Sequence, residues 1–136
     1  MSAEILEYCN TVEECYEFML AYAAQAHSRE SDKPGGQIRD FLQRAATAIA
    51  GVTEGCSKTV EEQGLEPAEK YHAFFAVLNR DAVNSLAAID LVLAQPSINS
   101  QLVDNLNASI HLRALLTDLF LLGEVLRSQL AAPLNR

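Results

Sequence analysis

Tryptophan is absent, cysteine occurs three times, and 10 basic side chains stand against 18 acidic ones. Each shortage excludes something. A net charge of -8 works against nucleic acid as a partner, because that binding depends on Lys and Arg neutralising phosphates. It also disfavours attachment to an anionic membrane surface. Cys9, Cys15 and Cys56 are odd in number and lack Cys-x-x-Cys spacing, so neither a disulfide framework nor a zinc knuckle is encoded. Small buried thiols in a reducing compartment are the default reading.

Other absences narrow the chemistry. The double glycine of Ser28 to Gly36 has neither phosphate-loop nor dinucleotide-loop spacing, and the segment reads as an inter-helix connection. No Gly-x-Ser-x-Gly elbow is present. Arg39-Asp40 and Arg80-Asp81 begin an Arg-polar ribonuclease pattern, but no His follows at the required distance. The opening Met-Ser-Ala-Glu-Ile has no basic start and no long apolar stretch, so a signal peptide is not expected and the cytoplasm follows by elimination. The most apolar run, Ile98 to Leu130, is interrupted by Arg113, Asp118 and Glu124. A membrane span needs ~20 mostly apolar residues. Nowhere does alternation of period two persist long enough for a strand.

What is present is helical periodicity. With 136 residues, 49% of them apolar, the chain suits one domain with one core. Ala3 to Cys9 forms two helical turns, either separate from or continuous with the first main helix. Thr11-Val12-Glu13-Glu14 has capping-box spacing, and apolar residues from Val12 recur at three and four to about Ser28. The second helix is expected over Gln37 to Gln63, with Gly64 as its left-handed terminator. The third opens at Glu66-Pro67 and runs to about Gln95. Pro96 then forces a turn, Ser97 or Asn99 caps a fourth helix, and Ala131 to Pro133 closes it. Short connections between long rods predict an all-α, single-domain, antiparallel up-down-up-down four-helix bundle.

The fourth helix carries the candidate sites. At about 100° per residue, Leu102, Leu106, Ile110, Arg113, Leu116 and Phe120 share one side, which is expected to face the core. Arg113 would then be a buried guanidinium needing Glu17, Asp40 or Glu54, or else an anion or ligand to orient. Asp104, His111 and Asp118 form a polar stripe with Asn107 on the opposite side. Leu112, Leu115, Leu119, Leu122 and Leu126 become a surplus apolar face and a candidate contact with a second chain. Glu69 and His72 make one Glu-x-x-His, half of a di-iron carboxylate motif, with Tyr71 between them and no second copy elsewhere.

Surplus apolar surface without converging catalytic groups points to a non-enzymatic interaction protein, a homodimeric adaptor or small regulator without a cofactor. Two alternatives stand beside it. One is a ferritin-like bundle holding metal or a small ligand at Glu69 and His72. The other is an acidic immunity or inhibitor protein for a basic partner, since Met1 to Ser28 carries five carboxylates and no Lys or Arg.

Overall fold

The computed structural model describes residues 2–24 and 37–131, and these form five helices with no strand among them. They are α1 (Ser2–Ala24), α2 (Gln37–Gln63), α3 (Ala68–Leu93), α4 (Ser100–Ala108) and α5 (Ile110–Ala131). The expected loop Ser28 to Gly36, the end of the first helix near Ser28 and the closure at Ala132-Pro133 lie outside the described residues.

α1 is one continuous helix, so Ala3 to Cys9 does not stand apart. Thr11 caps nothing; its hydroxyl donates back to the Glu7 carbonyl at 3.1 Å. The reason is the stripe Cys9, Val12, Cys15, Met19 and Tyr22, all buried, which runs unbroken through the would-be cap. Ending the helix at Thr11 would gain about 1 kcal/mol of capping and forfeit the burial of one end of that stripe.

α2 keeps the bounds expected from sequence. It ends in a left-handed Gly64 with φ 62, and the Leu65 N–H donates to the Val60 carbonyl at 3.2 Å. That six-to-one bond and the buried Leu65 form a Schellman termination. Near the start of α2, Arg39 donates to the carbonyls of Leu93 (2.8 Å) and Gln95 (2.5 Å). A cation thus closes the C-terminal end of α3, where orphan carbonyls and the helix dipole both favour positive charge.

α3 starts one residue beyond Pro67, whose carbonyl accepts from the Lys70 N–H at 3.0 Å. The next helix begins where Asn99 accepts the Leu102 N–H at 2.8 Å. Just before it, the fully buried Ile98 offers its carbonyl to the Tyr22 hydroxyl at 2.9 Å, tying α1 to this connection.

The expected fourth helix is two helices. Ser109 leaves the helical region with ψ 130; its N–H donates to the Leu106 carbonyl at 3.0 Å. Its hydroxyl then accepts the His111 N–H at 3.2 Å and its carbonyl accepts the Arg113 N–H. Ser109 therefore ends α4 and starts α5 as a side-chain cap.

Packing is lateral. α1 lies against α2 and α4, α2 against α1 and α3, and α3 against α2 and α5. Phe18 stacks on Phe41 with ring centres 4.0 Å apart, and the Cys15 thiol donates to the Phe41 carbonyl. Buried Ser85 donates to the His111 carbonyl at 2.9 Å, joining α3 to α5. One apolar core takes residues from all five helices. No helix of the described residues is long and apolar enough to cross a membrane.

Candidate functional site

The break at Ser109 changes which face of α5 is which. A count of about 100° per residue from Leu102 and Leu106 does not hold beyond Ser109, which is not helical. Leu112, Leu115, Leu119, Leu122 and Leu126, expected as the outward contact face, are all buried within the chain's own core. Their three-and-four spacing is the inward stripe of an amphipathic helix. Phe120 and Ile110, expected inside, are instead 52% and 75% exposed, and Leu121 is 55% exposed.

Arg113 is corrected by the same argument. It is exposed and needs no buried counter-ion from Glu17, Asp40 or Glu54. It lines an open groove of about 670 Å³ with Ala108, Ile110, Ala114, Thr117 and Asp118. Exposed Thr117 donates its hydroxyl to the Arg113 carbonyl at 3.0 Å. A smaller groove of about 360 Å³, between α1 and α2, is lined by Thr11, Gln43, Arg44, Thr47 and Ala48. Arg44 there sits over the Phe41 ring and 3.8 Å from Glu14, an exposed pair of little energetic weight.

The polar stripe does not survive as a unit. Asp104 and His111 are exposed on opposite sides of the break, while Asp118 is half-buried against α3. Asn107, expected outside, is 5% exposed, and among the described residues neither its Nδ2 nor its Oδ1 has a hydrogen-bond partner.

Asp118 faces Asp81 of α3, a neighbour that sequence spacing could not supply. Burial pushes the Asp118 carboxyl up to about 7, and the hydrogen bond and charge of Asp81 push the same way. Two ionised carboxylates have only acceptors, and Asp118 Oδ2 is buried without a donor. The pair becomes a hydrogen bond only when one member holds a proton.

Glu69 and His72 are exposed near the start of α3, with the His72 ring edge-on to Phe75 at 6.5 Å. Half-buried Tyr71 tilts against the same ring. Among the described residues, no group of three or more His, Cys, Asp or Glu gathers where it could hold a metal ion. Burial raises the thiols of Cys9 to about 11 and Cys56 to about 12, and it raises Cys15 as well. They remain protonated at neutral pH, which makes them poor nucleophiles.

What α5 presents outward is therefore Ile110, Phe120 and Leu121, with Arg113 and the half-buried Asp118 beside them. The sequence placed Ile110 inside and gave no reason to set Asp81 beside Asp118 or Leu121 on an outer face. A Ser immediately before Ile110, the start of a new apolar period, was the available signal. No protein-family model, curated protein or solved structure matches the chain.

Proposed function

We propose that this chain is a helical interaction module, an adaptor or small regulator, that works by protein contact through the outer face of α5 and associates with itself. Its helices are read as an antiparallel up-down-up-down bundle of four rods, with α4 and α5 sharing the fourth position. The paired contacts support this arrangement. Phe18 meets Phe41, while Cys9 and Cys56 lie close enough to interact electrostatically. Ser85 meets His111 and Asp81 meets Asp118. In each case later residues of one helix pair with earlier residues of the other.

The observation that carries the functional reading is the exposure of Ile110, Phe120 and Leu121 on one side of one helix. Single exposed apolar residues are ordinary, but a set of large ones on one helix face marks a contact surface. Light scattering after size exclusion tests it. The wild type is expected at twice the subunit mass of 14.9 kDa and Ile110→Lys at the single mass, with helical content unchanged. A wild type that elutes as a single subunit at high micromolar concentration removes the reading.

A further inference from the structure

We infer that the occupant of this face is the α5 of a second copy, lying parallel to the first about a twofold axis, with Arg113 of each subunit paired to the partner's Asp118. The inference rests on the self-association proposed above and adds its direction and register. Ile110, Ala114, Thr117 and Leu121 recur at intervals of four, three and four, which is the spacing of a two-helix seam. Ala114 and Thr117 at its middle are small, so the two helix axes can approach closely there. The large Ile110 and Leu121 close its ends.

The flanks decide the direction. By helical phase, Arg113 and Phe120 lie along one side of the seam and Asp118 and Val125 along the other. In a parallel twofold pair, opposite flanks meet, and each residue reaches one about five positions further along the partner. Arg113 then meets the partner's Asp118, and Phe120 meets the partner's Val125. In an antiparallel pair like flanks meet, setting Arg113 against Arg113 and Asp118 against Asp118. Charge therefore selects the parallel arrangement.

Two further observations favour a second copy over a different protein. α5 holds Arg113 and Arg127 against Asp118 and Glu124, so it is neutral, whereas each of the other four described helices is net acidic. Two chains of charge -8 repel least where that neutral face meets itself. In addition, among the described residues no cation acts on the Asp81–Asp118 pair, and Arg113 forms no ion pair there. The partner's guanidinium supplies one.

Cysteine cross-linking and charge exchange test the arrangement on the full chain. Ile110→Cys and Leu121→Cys, at opposite ends of the seam, are each expected to form a disulfide-linked dimer under mild oxidant. The wild type, whose Cys9, Cys15 and Cys56 are buried, is expected to form none. Arg113→Asp should weaken association on the order of tenfold or more, and adding Asp118→Arg should restore most of it. Circular dichroism confirms that each variant is folded. Cross-linking only in a mixture of the two cysteine variants indicates antiparallel packing and overturns the inference. A wild-type dimer in which neither variant cross-links leaves self-association standing and removes this seam. A wild-type monomer removes both.

Discussion

At Asp118, one carboxyl is held beside another at a helix contact, and the proton that makes this tolerable has a measurable consequence. In the single subunit Asp118 keeps its proton up to about pH 7, whereas the unfolded chain releases it near the ordinary 3.8. Between those values the folded state binds the extra proton. The stability contributed here is thus fully present at and below 3.8 and is lost as the pH rises through about 7. In the Leu121→Lys background, where no partner's Arg113 faces the pair, Asp118→Asn, neutral at every pH and able to donate to Asp81, is expected to melt above its parent at about pH 8 and close to it at about pH 5. A melting difference that stays constant across that range would contradict the assignment. Asn107 offers a second residue-level check. Its amide is buried with no partner for either atom, a desolvation penalty of about 1–3 kcal/mol. Asn107→Leu should raise stability by ~1 kcal/mol in urea titration, and a loss of that size would mean the amide has a bonding role.

For the elements, Ser109 is the residue on which most of the arrangement turns. Through its hydroxyl it caps α5, and its extended ψ resets the phase between α4 and α5. Ser109→Ala is expected to cost about 0.5–2 kcal/mol in chemical denaturation, the range of a lost N-cap. A neutral result would indicate that the two helices run on as one. This junction also marks where the sequence could be read and where it could not. α2 was legible to both ends, because Pro-Gly-Gly precedes it and a left-handed Gly64 follows. α1 was legible as a helix, but its Thr11 cap was overridden by a buried stripe that no local rule weighs. The α4–α5 run was legible as helical and illegible in phase, since one non-helical residue rotates every later side chain. That loss of phase set five inner leucines outside and Arg113 inside, although Leu116 is buried as expected and Asn107, ahead of the break, was already on the wrong side. Asp81 beside Asp118 was beyond reach altogether, because the packing of α3 on α5 is a tertiary fact.

Taken whole, the molecule is acidic on four of its five described helices and neutral on the fifth, and that fifth helix exposes Ile110, Phe120 and Leu121. On the proposed reading, charge keeps copies apart over the acidic helices and the neutral α5 is the face on which they meet. Adjacent turns of α5 should therefore respond in opposite ways to the same substitution. Leu115→Lys puts an unpaired charge into the core, which costs several kcal/mol out of a total of about 5–15 kcal/mol and should leave the chain unfolded. Leu121→Lys should leave it folded and single. Sedimentation equilibrium of the wild type beside Leu121→Lys, both checked for helical content, tests the account most directly. The expected masses are twice 14.9 kDa for the wild type and 14.9 kDa for the variant. Equal masses for the two proteins, whether single or double, would contradict it.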